Sequence, residues 1–225
     1  MFFPVALNFY FTQKIITRYV DNVNIGWYYV YIVNIKEFVI MKAYILSDKD
    51  YQTDAYVRLL AQVKEALAGF EIEEKQLSRG DIHYCVGCFG CWIKKPGECV
   101  ISDDIANINR AMMASDVVVT LVPVVFGQFS ANIKYALDRW LPNMLPFFQT
   151  RKDGSTMHPR RYESYPRQIM IGYGNALSAE DAQLFVDITQ KHRSGIDVLI
   201  DDGSNHQIVD MLQAVELKRV VGGSL

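Results

Sequence analysis

Residues 116–122 read DVVVTLV, a near-continuous β-branched and apolar run. A strand wetted on one face alternates apolar with polar side chains, whereas a strand covered on both faces has no need to. The run is therefore expected to be the central strand of a sheet sandwiched between helices. Upstream of it, residues 43–46 form a short apolar strand. Thr53 or Asp54 can cap a helix reaching about Ala68, with Val57, Leu60, Val63 and Leu67 on one face. Residues 70–76 alternate as a second strand. Ser102 or Asp103 caps a further helix whose Ile105, Ile108 and Met112 share a face, and Asp103 and Asp104 in its first turn complement the helix dipole.

Downstream of the central run, residues 123–129 read as a loop. Residues 130–141 read as a helix that carries Ile133, Leu137 and Trp140 inward, with Lys134, Asp138 and Arg139 as a salt-bridged face. Residues 142–166 make a long excursion rich in proline, aromatics and cations, with Asp153-Gly154 as a hairpin turn. Excursions of this length are often lids or binding loops. Arg167–Tyr173 is a strand running into GYGN; the lone G-x-G of Gly172, Tyr173 and Gly174 is too short for a dinucleotide fingerprint. Ser178 caps a helix with Glu180 and Asp181 in its first turn, and Gly195 closes it. Ile196–Ile200 is a fifth strand. A last helix follows Ser204-Asn205, with Ile208, Leu212 and Val215 inward and a frayed tail from Gly222.

Five strands alternating with five helices imply an α/β fold with a parallel sheet covered on both faces. The 185 residues from Met41 onward fit a flavodoxin-like three-layer sandwich, a five-stranded parallel sheet in the order 2-1-3-4-5. Ligands of such sheets lie outside the carboxyl ends of the strands where the order reverses, here between strands one and three. The loops that matter are then 47–54, 123–130 and 172–175. The loop after strand two is expected to open on the same edge.

Composition narrows the setting. Hydrophobic residues make up 50% of the chain and charged residues 21%, which is globular, and a net charge of −2 gives no basic surplus for nucleic acid. No run of about 18 apolar residues exists, and the start lacks the basic flank and cleavage site of a signal peptide. A cytoplasmic protein without a membrane partner is expected. Residues 1–40 hold 11 of the 28 aromatics but only five charges, with no sustained period. Two readings stand: an extraneous extension preceding a true start at Met41, or an arm for a membrane surface or a partner. The domain proper is taken as 41–221.

All four cysteines lie in one loop, HYCVGCFGCWIKKPGECVISDD over 83–104, spaced C-x2-C-x2-C-x7-C at Cys85, Cys88, Cys91 and Cys99. Three thiols at this spacing can converge from one loop, and the Pro96-Gly97 turn can return the fourth. Iron–sulfur clusters are held by compact runs of this kind. Free or redox-active thiols remain open. Zinc fits less well, because zinc ribbons pair two CxxC knuckles across a longer spacer, and a disulfide framework suits small secreted domains. His83 is a further ligand or a solvated loop residue. Trp92 shields a bound group or simply packs.

The cysteine loop ending in Asp-Asp, followed by DVVVTLVPVVFGQFSANIKYALDRW, resembles the NAD(P)H-dependent FMN reductase and iron–sulfur flavoprotein branch of the flavodoxin-like superfamily. The resemblance runs from Met41 to the last helix. It implies FMN at the strand carboxyl ends, with the phosphate in a first loop that here holds Ser47, Lys49, Thr53 and Asp54. The ring would lie along Pro123, Val124, Val125, Phe126 and Gly127, with Gly172, Tyr173 and Gly174 beside it. Some members carry a [4Fe-4S] cluster on cysteines placed like Cys85, Cys88, Cys91 and Cys99. The chain departs from the pattern in two places. Its first loop reads SDKDYQTD, in which Asp48, Asp50 and Asp54 oppose a phosphate, and Val125 stands where relatives often have Tyr.

The resemblance implies an FMN-dependent oxidoreductase that takes electrons from NAD(P)H and passes them to a small-molecule or protein acceptor, as a homo-oligomer. The hard chemistry would be the cofactor's, so no residue is assigned as catalytic. Two alternatives are an iron–sulfur electron-transfer protein and a flavodoxin-like binding module without tight FMN binding.

Overall fold

The computed structural model describes residues 40–192, 195–201, 203 and 208–212. The expectations for residues 1–39, for Ser204-Asn205, for Val215 and for the tail lie outside the described residues. Strand β1 (Lys42–Asp48) leads through a single 3-10 turn into helix α1 (Asp54–Ala66), and β2 (Glu71–Leu77) follows. The cysteine loop contains one short helical turn, α2 (Gly90–Ile93), and ends at α3 (Ile105–Ala114). The central strand β3 (Val117–Val125) folds back on β4 (Gln128–Phe129), and α4 (Ala131–Asp138) begins directly after it. A small hairpin, β5 (Gln149–Thr150) and β6 (Thr156–Met157), precedes β7 (Arg167–Tyr173), α5 (Ala179–His192) and β8 (Ile196–Ile200).

The main sheet has the order β2-β1-β3-β7-β8, every neighbouring pair along it parallel. That is the expected 2-1-3-4-5 arrangement. Its cause is visible in β3: all residues from Val117 to Pro123 are buried, because this strand has helices above and below and a strand on each side. On one face α1 packs Tyr56, Leu59, Val63 and Leu67 against Ala43, Ile45, Val119 and Ile171, together with Ile208 and Leu212. On the other face Ile105, Ile108 and Met112 of α3, Ile133 and Leu137 of α4, and Phe185 of α5 cover Tyr44, Leu46, Val118 and Val122. Burial at about 25 cal/mol per Å2 of apolar surface makes these two layers the main source of stability.

Three local expectations are corrected. The inward face of α1 is centred on Tyr56 and Leu59, and Val57 is 62% exposed; one residue of helix turns a side chain by about 100°, so the apolar stripe begins one position earlier than read. Residues 123–129 are not a loop: Val125 pairs with Gln128 across a two-residue turn. Phe126 (φ 50°) and Gly127 (φ 70°) both adopt the left-handed conformation that such hairpin turns require. Arg139 is ion-paired, but with Asp103 and not along the helix: it caps α4 and is 1% exposed, while Lys134 and Asp138 do pair as expected.

The 153–154 turn forms as read. Asp153 accepts hydrogen bonds from Ser155 N (3.0 Å) and Ser155 Oγ (2.7 Å), and Gly154 takes φ 83°.

Candidate functional site

The three loops at the carboxyl edge of the sheet do meet. At the end of β1, Ser47 and Asp48 are fully buried. Ser47 Oγ lies 3.2 Å from Tyr56 Oη, so it faces α1 and not open space. Asp48 accepts hydrogen bonds from Ser130 Oγ (2.6 Å), Asn132 Nδ2 (2.9 Å) and Asp50 N (3.0 Å). Asp50 in turn accepts from Asn132 Nδ2 (2.9 Å) and from Arg79 N (3.0 Å). Two of the three carboxylates that oppose a phosphate are thus held by neutral donors and tie the first loop to the start of α4. Thr53 caps α1, its Oγ1 accepting from Tyr56 N at 3.3 Å, and Lys49 is exposed.

The third loop closes the floor. Tyr173 Oη donates to Tyr51 O at 3.1 Å, and its ring lies 5.9 Å from that of Tyr56. Burial, reinforced by the nearby Asp48, pushes the Tyr173 phenol well above its ordinary value, so it stays protonated and keeps the first loop in place. Beside it opens a cleft of about 600 Å3, lined among others by Asp54, Ala55 and Arg58 of α1, Gly174, Asn175 and Ser178 of the third loop, and Asp201. Arg58 Nη2 pairs with Asp201 Oδ2 at 2.6 Å. The second loop presents Phe126 at its tip, 88% exposed, while Gly127 and Pro123 are buried and Val124 and Val125 are half-buried.

Of the residues first assigned to the site, Asp54 and Gly174 line this cleft. Ser47 and Thr53 have their hydroxyls engaged within the protein, whereas the cleft offers an anion Arg58 and the start of the 13-residue α1, beside the carboxylates of Asp54 and Asp201. Arg58, Asn175 and Asp201 were absent from the residues assigned to the site. The one signal for Arg58 was its place one turn inside a helix that starts at the first loop.

The cysteine loop leaves the carboxyl edge at Arg79, whose N–H donates to Asp50, and is then held against the end of α4. Its anchor is Arg139, at the far end of α4 from Ser130. At 1.5 Å per residue the two caps are about 14 Å apart along the helix. Arg139 Nη1 donates to His83 O at 3.0 Å and to Asp103 Oδ2, and Arg139 Nη2 donates to Cys99 Sγ at 3.1 Å and to Ile101 O at 3.4 Å. Trp92 packs, its Nε1 donating to Leu141 O (3.1 Å) and Met144 O (2.9 Å). His83 offers the loop its backbone, its N–H donating to Asp103 Oδ2 at 2.8 Å.

The four thiols are unpaired: Cys91 buried, Cys85 and Cys99 half-buried, Cys88 exposed. Burial pushes the Cys91 thiol up, and the neighbouring Cys99, Cys85 and Cys88 push it further. Among the described residues no three His, Cys, Asp or Glu side chains converge as the ligands of a single metal ion would. A cluster asks for less convergence, since each thiolate binds a different iron. Four cysteines on one loop, Cys99 among them bonded by the buried Arg139 guanidinium, are a donor set of the chemistry that suits an iron–sulfur cluster better than zinc.

The fold and the two sites define a flavodoxin-like α/β protein with a cysteine-rich insertion. The NADPH-dependent FMN reductase family model matches residues 46–150. An iron–sulfur flavoprotein from Archaeoglobus fulgidus is 40% identical over 114 residues, 48% of this chain and 51% of that protein. One from Methanocaldococcus jannaschii is 34% identical over 100 residues, 42% of this chain and 51% of the other. The chain thus spans about half the length of the curated relatives it matches. An NAD(P)H:quinone oxidoreductase from Methanothermobacter marburgensis shares the fold, with a TM-score of 0.51 over 80% of this chain and 95% of that one at 12% identity. The resemblance read from the cysteine loop and the second loop is borne out. No helix among the described residues is long and apolar enough to cross a membrane.

Proposed function

We propose that this chain is an FMN-dependent oxidoreductase that takes electrons from NAD(P)H and hands them to a quinone-like or protein acceptor, with a [4Fe-4S] cluster on Cys85, Cys88, Cys91 and Cys99. The observation that carries this reading is that the FMN reductase match over 46–150 spans the first loop, the cysteine loop and the second loop together. When bound, the flavin supplies hydride acceptance and release of single electrons. The residues of the chain bind and orient. Arg58 and the N-terminus of α1 hold the phosphate, and Gly174 leaves room for close approach. The 123–127 hairpin offers Val125 and Phe126 to the ring, and Tyr173 fixes the first loop. Hydride transfer needs no protein acid or base, and none is assigned. The separation of the two sites along α4 suits a cytoplasmic homo-oligomer in which one protomer's cysteine loop approaches another's flavin.

An absorption spectrum of anaerobically purified protein, with iron and sulfide analysis and an NAD(P)H oxidation assay, tests this. Flavin absorbance together with about four irons per chain is expected for the full reading. Protein that stays colourless after incubation with FMN and oxidises no NAD(P)H removes it. The internal engagement of Ser47 and Thr53 favours a second reading, a binding module with weak FMN affinity. Quenching of FMN fluorescence on titration decides between the two.

A further inference from the structure

Arg139 is the most deeply buried cation described, 1% exposed, and it pinches the cysteine loop from both sides. It reaches the backbone before the cysteines at His83 and after them at Ile101, and its carboxylate partner is Asp103. Those contacts alone account for holding a loop. The additional one is Nη2 to Cys99 Sγ at 3.1 Å, a charge-assisted donor aimed at a sulfur. Burial pushes the Asp103 carboxyl up, but its bonds from Arg139, His83 N and Ile105 N outweigh that and hold it below the usual carboxylate range, so the ion pair persists at neutral pH.

We infer that Arg139 is a positioning residue that tunes the redox centre: its bond to Cys99 fixes that sulfur as a ligand and raises the reduction potential of the cluster. The inference rests on the cluster reading above. An added electron increases the negative charge on the sulfurs. A donor on one of them stabilises the reduced form more than the oxidised one, and such outer-shell hydrogen bonds set cluster potentials. Asp103 works in the opposite sense, because its negative charge partly cancels the guanidinium's. The two residues therefore predict shifts of opposite sign, which a purely structural role does not.

The test is an EPR-monitored redox titration of the full chain, loaded anaerobically with ferrous iron and sulfide. Wild type, Arg139→Gln, Arg139→Lys and Asp103→Asn are compared. Arg139→Gln is expected to lower the reduced-to-oxidised ratio at a fixed potential about tenfold, which is 59 mV for a one-electron couple. Arg139→Lys keeps the charge and recovers part of that shift. Asp103→Asn can still accept from Arg139 but removes the opposing charge, and is expected to shift the potential upward. Unchanged potentials in Arg139→Gln and Asp103→Asn, with a cluster present, overturn the tuning role and leave the cluster reading standing. Wild type that takes up no iron and sulfide overturns both. If neither Arg139 variant folds, Asp103→Asn decides alone: a shift that is absent or downward overturns the inference.

Discussion

Gly172 and Arg58 act by opposite means, one by lacking a side chain where the chain packs tightly and one by extending a charge along the cleft. A Cβ at Gly172 would lie 2.8 Å from Phe185 Cε1 and 2.9 Å from Val124 Cγ2. Phe185 is fully buried and Val124 is β-branched, so neither can swing away. Overpacking of this kind costs about 1–3 kcal/mol. Gly172→Ala is expected to lose stability in that range in urea titrations, and to weaken FMN binding because Val124 is displaced beside the ring. A variant as stable as the parent would show that the close packing of β7 on α5 is not limiting. Arg58 is the cation facing the cleft from α1, and hydrogen bonds to charged groups contribute about 1.5–3 kcal/mol. Arg58→Gln is therefore expected to weaken FMN about tenfold or more, while riboflavin, which has no phosphate, binds unchanged. Equal losses for both ligands would place the phosphate elsewhere. The glycine was visible in GYGN, but its role depends on a ring from a helix later in the chain. Arg58 was hidden because a polar residue on a helix is ordinarily a solvated one.

Helix α4 is the element that both sites share. Its start delivers Ser130 and Asn132 to the buried Asp48, and its end delivers Arg139 to the cysteines. Asn132→Ala leaves Asp48 with two donors out of three and Asp50 with one out of two. A buried polar group that loses a partner costs about 1–3 kcal/mol. The unfolding free energy from urea titration should fall by that amount, and the effects of Asn132→Ala and Asp48→Ala should be non-additive in a double-mutant cycle, as for groups in one network. Additive effects would mean that the two residues are independent. The sequence revealed this helix, its inward Ile133 and Leu137, and the Lys134–Asp138 pair, since all of these follow from helical spacing; Trp140 is buried as read but lies past the end of α4 at Asp138. Spacing did not reveal that Arg139 turns inward. Its φ of −90° and ψ of 17° take it out of the helix, and where a capping residue points depends on what waits there.

For the whole molecule, the sheet order was legible because it follows from alternating strands and helices around a doubly buried DVVVTLV. The path of the cysteine loop was not, because a loop of this length is routed by the partners it finds, here Arg139, Leu141 and Met144, and none of these contacts has a local signature. Ion-paired carboxylates also tie the end of the loop and β2 to the rest of the fold, which gives the molecule a defined response to acid. Bonds from Lys75 and Asn107 hold Asp104 below the usual range. Burial works against Asp103 and Glu74, but Asp103 is held low by Arg139 and Glu74 by Lys64 and Gln76. A carboxyl that is more acidic in the folded than in the unfolded chain takes up protons preferentially on unfolding, so stability rises with pH across its titration. The contribution is complete above the unfolded values, about 3.9 for Asp and 4.3 for Glu, and is lost as pH falls through the lower folded values. As far as these three groups decide it, the urea midpoint should change little from neutral pH down to about pH 5 and then fall steeply below about pH 4. Asp103→Asn should start from a lower plateau and fall less, because the group that titrates is gone. A midpoint that already drops between neutral pH and about pH 5 would show that other groups control the acid transition, and that these three ion-paired carboxylates contribute little to the stability of the fold.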